Sequence, residues 1–248
     1  MISTLYERHY YRNKNIFILT STPIIEYDMK EAGFSLIREY KLLSDKTIEF
    51  LLTKDKLYRT IFIGKESGKN KEFSKRLTES FVKARKLFFE NNQVEDKDIV
   101  TIHNDAIFLN KVCIITQFGE YIDFRVKHQY SSYMYISMKE VSIPIELEMY
   151  YSKDELSIKG IDDESLKKHE DGMLNIINRI FYLLETSPKH LVYRYIRDIK
   201  DKYVKLELPV NYYREFNTES LFNVPNSGAI RYDNYFEDKK DNLVINYN

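Results

Sequence analysis

Tryptophan is absent from the chain and cysteine occurs once, at Cys113, so no internal disulfide can form. With Val112 and Ile114 on either side, that cysteine reads as a small buried hydrophobe rather than a nucleophile. No apolar run approaches the roughly 20 residues that span a bilayer, so no membrane association is expected. Residues Met1 to Arg8 lack the apolar stretch of a signal peptide, and the protein is expected to be soluble and to remain in the cytoplasm. Excess charge of either sign is missing too: 38 basic residues meet 38 acidic ones, which excludes a protein that coats nucleic acid by bulk charge. Any such contact must use a local patch. The five histidines, His9, His103, His128, His169 and His190, have neither metal-ligand spacing nor a cysteine partner, so zinc is not expected. The run Gly64 to Lys69 lacks the phosphate-loop pattern and reads as a turn.

What the chain does have is 21 tyrosines and 15 phenylalanines among many lysines, asparagines and isoleucines. The tyrosines could offer stacking surfaces for bases, although packing and strand propensity account for them as well. Apolar residues at 43% and charged residues at 31% are those of a globular chain, and 248 residues suffice for a core domain with a helical appendage.

Short strands are expected at Ile16 to Thr20 and Ile24 to Tyr27, with Ser21-Thr22-Pro23 between them and Asp28 directly after the second. Ala32, Leu36, Ile37, Tyr40 and Leu43 recur at helical spacing, so the chain switches from strand to helix at Asp28, which could itself be the N-cap. Ser44-Asp45 caps a short helix to about Leu52. Tyr58 to Gly64 reads as a strand and Glu66 to Asn70 as a loop. The clearest helix runs from Lys71 to Asn91, with Phe73, Leu77, Phe81, Ala84 and Phe88 in one apolar stripe and Lys75, Arg76, Lys83, Arg85 and Lys86 on its other faces. Ile99 to Ile102 and Ala106 to Leu109 form a hairpin through His103-Asn104-Asp105. Further strands are expected at Ile122 to Val126, Ser132 to Ser137, Ile143 to Tyr150 and Leu156 to Lys159. After Asp162-Asp163 the pattern is helical, broken at Ser187-Pro188 and resumed to about Val204, and an irregular tail follows from Leu208. The expected class is therefore α+β, an antiparallel sheet with helices packed on it followed by a helical C-terminal region.

Asp28 and Asp105 carry the chemical interest. Metal-dependent nucleotidyl transfer needs carboxylates from two strands that can share a pair of Mg²⁺ ions roughly 4 Å apart. One aspartate ends a strand and the other occupies a hairpin turn, although a helix cap and an ordinary turn would use the same residues.

The run Asp28 to Ser35 resembles the D-x-x-S-L-Y-P-S motif that opens the palm of family B DNA polymerases. His103-Asn104-Asp105-Ala106 is similar to that family's D-T-D-S hairpin and keeps its second aspartate. Met149-Tyr150-Tyr151 followed by Ile158-Lys159-Gly160-Ile161 resembles the K-K-x-Y motif and the K-G-I strand after it. The resemblance covers residues 20 to 205 by order of elements. It implies a palm-like α+β domain over 1–161, a fingers-like insertion at about 45–95, and a helical thumb-like region with an irregular tail over 162–248. It further implies that Asp28 and Asp105 bind Mg²⁺, that Lys75, Arg76 and Lys83 meet a nucleoside triphosphate, and that Tyr151 and Lys159 contact a primer-template. The composition fits an AT-rich genome, and a phage origin is expected. Because the resemblance begins almost at the palm, the chain could be one subunit of a larger, split enzyme.

The fingers motif K-x-x-x-N-S-x-Y-G and the lysines of K-K-x-Y are not present. A second reading therefore stands beside the first: a non-catalytic structural or replication-accessory binding protein, with protein partners in replication or viral assembly, built on the same α+β scaffold.

Overall fold

Residues 1–138, 145–153, 155–160 and 172–209 are described in this computed structural model, and among them are two antiparallel sheets and six α-helices. The class is α+β, as the sequence pattern implies. The chain divides into two units, Met1–Lys14 with Pro23–Gln129, and Asn15–Thr22 with the chain from Tyr130 onward.

The first unit is built on a sheet in the order β1 (Tyr10–Arg12), β4 (Ile99–His103), β5 (Ala106–Leu109), β3 (Ile24–Met29) and β6 (Phe124–Tyr130). Alternation along β3 separates two faces. Ile25, Tyr27 and Met29 join the apolar core with Ile107 and Leu109, whereas Glu26 and Asp28 stand on the opposite face with their cross-strand partners Phe108 and Ala106. Helices α1 (Ala32–Glu39) and α4 (Lys71–Asn91) close the core side, adding Leu36, Ile37, Phe73, Leu77, Ala84, Phe88 and Phe89. The Phe88 ring lies 4.7 Å from Phe124 and 5.1 Å from Tyr27, centroid to centroid. Asn70 caps α4 by accepting from the Phe73 N–H at 3.0 Å, which is why the helix begins where its apolar stripe does. Ser44 caps α2 (Asp45–Leu52) in the same way.

Four expectations need correction. The run Tyr58 to Gly64 is not a strand and Glu66 to Asn70 is not a loop, so the glycine-flanked Gly64 to Lys69 is not a turn: all lie in or at the end of α3 (Lys56–Lys69). Thr60, Ile61, Phe62 and Ile63 carry strand propensity, but the Asp55 carboxylate caps the helix at the Tyr58 N–H, 2.7 Å away, and tertiary packing overrides the local preference. Arg59 pairs with Glu31 at 2.7 Å, and Ile63 packs on the first core near Gly33. Asp28 is neither beyond its strand nor a helix cap, since β3 continues to Met29 and the N-cap of α1 is Glu31. Arg85 is not on an outer face of α4 but fully buried. The strand expected at Ile122 to Val126 starts two residues later and continues to Tyr130.

The second unit carries a sheet in the order β2 (Ile18–Leu19), β7 (Ser132–Met138), β8 (Ile145–Ser152) and β9 (Glu155–Lys159). Helices α5 (Met173–Thr186) and α6 (Lys189–Val204) follow, separated at Ser187-Pro188 as expected. Met134, Met149, Ile158, Ile177, Ile180, Phe181 and Val192 form its core. Ser131 and Ser132 donate to one oxygen of Glu185, at 2.5 and 2.6 Å. The start of the strand expected at Ile143, Ile161, the Asp162-Asp163 turn, the beginning of the helical region at 162, His169 and the tail beyond residue 209 lie outside the described residues.

Two glycines test opposite requirements. Gly160 has φ +100°, and a Cβ there would run into the Glu146 carbonyl, whereas Gly64 sits inside α3 with open space around it. Gly160→Ala should lower stability by roughly 1–3 kcal/mol, the usual cost of forcing a side chain into such a conformation. Gly64→Ala should raise it by about 0.5–1 kcal/mol by removing the flexibility of a mid-helix glycine. Chemical denaturation of the two variants beside the parent chain checks both signs.

Candidate functional site

The site is built on the face of the first sheet opposite the apolar core. Asp28 is paired across the strands with Ala106, and Asp105 is the residue immediately before Ala106, in the two-residue turn closed by the His103–Ala106 pair. The register thus brings both aspartates to the same end of β3 and β5.

Strand β6 lines the acids of β3 with cations at alternate positions. Arg125 Nη2 lies 3.8 Å from Asp28 Oδ2, and Lys127 Nζ lies 3.2 Å from Glu26 Oε1. Glu26 is buried, so Lys127 answers a charge that would otherwise be costly to place there. The Asp28–Arg125 pair is longer than a hydrogen bond and Arg125 is half exposed, so water screens much of its attraction.

Burial, first of all, pushes the Asp105 carboxyl above the ordinary carboxylate range; its own backbone N–H opposes that, the negative charge of Asp28 adds to it, and Lys127 and Lys56 pull it back down. A carboxylate whose charge raises Asp105 in this way is its electrostatic neighbour. Beneath the turn, Arg85 donates from Nη1 to the carbonyls of Arg8, at 2.7 Å, and Asn104, at 2.9 Å. Burial lowers the Arg85 guanidinium to about 10, with Asp105 acting the other way. His9, whose carbonyl accepts the Asn104 N–H at 2.7 Å, is pushed down by burial and then by Arg85.

The other residues singled out from the sequence lie elsewhere. Lys75 is exposed and 4.0 Å from Glu79, Arg76 is exposed, and Lys83 lies over the Tyr40 ring at 4.6 Å. The cations that act on Asp105 are Lys127 and Lys56. Tyr151 and Lys159 belong to the second unit, where Tyr151 stacks on Phe181 at 4.9 Å and Lys159 is paired across the strands with Glu148. Sequence reasoning passed over Glu26, Arg125, Lys127, Lys56 and Arg85. A signal existed for three of them: Arg125 and Lys127 are two apart on a strand, and Arg85 stands four residues after Phe81 and three before Phe88, on the apolar stripe.

For a divalent cation the donor chemistry is suitable: Asp28 supplies hard oxygen ligands from β3 and Asp105 from the turn between β4 and β5. Among the described residues no three His, Cys, Asp or Glu side chains converge on one point. Two carboxylates with substrate oxygens would have to complete the shell. Nor, among the described residues, is any helix long and apolar enough to cross a membrane.

Compared with known proteins, the whole chain, residues 1–248, matches the model of a family described as Bacteriophage PBS1 gene 130 protein. No curated protein matches it.

Asp105 gives a pH-dependent prediction. An acid whose carboxyl is raised by folding disfavours the folded state when ionised, and this penalty disappears as pH falls through the folded value and then the unfolded one. Asp105→Asn should therefore be more stable than the parent at pH 7, with the difference shrinking to nothing in strong acid. Thermal unfolding of both proteins across that range checks the sign. A less stable variant at pH 7 would contradict the electrostatic assignment.

Proposed function

The chain belongs to the bacteriophage PBS1 gene 130 protein family, and within that phage family we propose that it is a metal-dependent nucleotidyltransferase of polymerase-like type, with Asp28 and Asp105 as its metal-binding pair. One observation carries the reading: the register of β3 on β5 sets Asp28 opposite Ala106, beside the turn that holds Asp105. The hairpin bearing the second motif of the polymerase resemblance runs directly against the strand bearing the first. A bound Mg²⁺ would supply Lewis acidity toward phosphoryl oxygens. Lys127 and Lys56 lower the cost of holding the Asp105 carboxylate ionised before the cation arrives. The substrates are nucleoside triphosphates and a primer-template, met in the host cytoplasm. Lys75, Arg76 and Lys83 are candidates for the triphosphate, and Tyr151 and Lys159 for the nucleic-acid backbone.

One observation favours the non-catalytic reading. Strand β6 supplies one cation to each acid of β3, Lys127 to Glu26 and Arg125 to Asp28. Such a ladder can serve a scaffold that uses its faces to bind other proteins of replication or assembly.

Calorimetric titration with Mn²⁺ and a primer-extension assay with Mg²⁺ separate the two. The nucleotidyltransferase reading expects the parent chain to bind Mn²⁺ and to extend a primer. It expects Asp28→Asn and Asp105→Asn each to lose roughly a hundredfold or more in rate, the scale on which removal of one group that stabilises transition-state charge acts. Equal incorporation by the parent and Asp105→Asn sinks it. A parent that neither binds Mn²⁺ nor extends a primer leaves the scaffold reading.

A further inference from the structure

A two-residue hairpin turn is the least constrained part of its ladder, and Asp105 sits in one. Beyond the His103–Ala106 pair no cross-strand pairing holds it. Asn104, at φ +52°, would ordinarily be free to exchange between turn conformations. Instead, both polar groups of Asn104's main chain are tied down. Its N–H donates to the His9 carbonyl at 2.7 Å, and its carbonyl accepts from Arg85 Nη1 at 2.9 Å. The same Nη1 also holds the Arg8 carbonyl at 2.7 Å, so one guanidinium nitrogen joins the turn to the segment before β1.

The carbonyl that Arg85 grips belongs to the peptide group linking Asn104 to Asp105. That group is planar and trans, so its C=O and N–H point in opposite directions. The C=O meets Arg85, and the N–H is the one that meets the Asp105 carboxylate. Fixing one end of this plane fixes the other. A cation on the carbonyl also polarises the peptide and makes its N–H a better donor.

We infer that Arg85 is a positioning residue for Asp105: from inside the core it locks the Asn104–Asp105 peptide plane and so sets where the Asp105 carboxylate stands beside Asp28. Holding a turn does not by itself require a charge. A neutral donor could bind the same carbonyl without burying a guanidinium whose Nε and Nη2 have no hydrogen-bond partner. The arginine is fully buried, and leaving those donors unmet is costly. What a cation adds is its attraction for the Asp105 carboxylate across the turn. In its consequence for metal affinity, the inference rests on the proposed nucleotidyltransferase centre.

Amide hydrogen exchange of the uniformly ¹⁵N-labelled full chain tests the clamp directly, with Arg85→Met, which removes the donors, and Arg85→Gln, which keeps a neutral one. Exchange at Asp105 should speed by about tenfold or more in Arg85→Met, the scale of one hydrogen bond to a charged group. Exchange at Ile102 and Ile107 in the ladder should stay near the parent's, and Arg85→Gln should fall between. Should Arg85→Met fail to fold, the same comparison runs between Arg85→Gln and the parent. Unchanged exchange at Asp105, or an acceleration spread equally over Ile102 and Ile107, overturns the inference.

Mn²⁺ titration of the same proteins then separates it from the proposed function. Loss of a nearby cation alone would tighten Mn²⁺ binding, whereas loss of positioning should weaken it by about tenfold despite the favourable charge change. A parent that binds Mn²⁺ and an Arg85→Met chain that binds it equally well or more tightly overturn the positioning role. A parent that does not bind Mn²⁺, with exchange at Asp105 still dependent on Arg85, overturns the nucleotidyltransferase reading and supports the clamp.

Discussion

The register of β3 against β5 is the constraint on which the first unit depends. With Tyr27 opposite Ile107 and Asp28 opposite Ala106, every odd-numbered residue of β3 enters the apolar core and the acids stand on the other face. Because side chains alternate, a slip of one residue would exchange the two faces, placing Glu26 and Asp28 among Phe88, Phe124 and Leu109. An unpaired carboxylate there would cost several kcal/mol, so the alternative register is not competitive. Tyr27 secures the choice from the core side. Its hydroxyl accepts the Cys113 N–H at 2.6 Å and donates to the Lys111 carbonyl, and burial raises it to about 12.

The same register concentrates charge at one end of the sheet. Glu26, Asp28 and Asp105 are met by Lys127, Arg125, Lys56 and Arg85, a group in which no acid stands far from a cation. The matching differs from acid to acid. Glu26 is buried and held at hydrogen-bonding distance, Asp28 has a looser and more screened pair, and Asp105 is pushed up by burial and by its neighbour. Tightness falls from the middle of β3 toward its end.

Much of this was legible in the sequence where one local signal dominates. The helix Lys71–Asn91 has a capping Asn70 and an unbroken apolar stripe, and its observed ends coincide with those read from the pattern. The break at Ser187-Pro188 was readable because proline disrupts a continuing helix. Helix α3 was not readable, because Tyr58, Thr60, Ile61, Phe62 and Ile63 are strand formers, and a cap together with packing decides otherwise. At the site, the two aspartates were visible as residue types at strand ends. Their surroundings were hidden for a simple reason: with β3 taken to end at Tyr27 and the strand holding Arg125 taken to end at Val126, Asp28 and Lys127 were left off the strands that pair them. Arg85 was assigned to solvent by its charge, although its helical spacing placed it on the buried stripe.

Two acids of the second unit, the buried Glu148 and the half-buried Glu185, sharpen the distinction between a structural carboxylate and an available one. In the second unit, Glu148 accepts from the Tyr150 hydroxyl at 2.9 Å, and Glu185 takes two serine hydroxyls on one oxygen. Short bonds to neutral donors fix such a group in place and satisfy it locally; a cation arriving there would have to displace them. Asp28 and Asp105 are held differently, by charges acting over distance, by one ion pair too long for a hydrogen bond, and by a main-chain N–H. An incoming divalent cation would relieve the repulsion between them and would compete chiefly with the screened Arg125 interaction. That difference in attachment, more than the presence of carboxylates, sets Asp28 and Asp105 apart from Glu148 and Glu185.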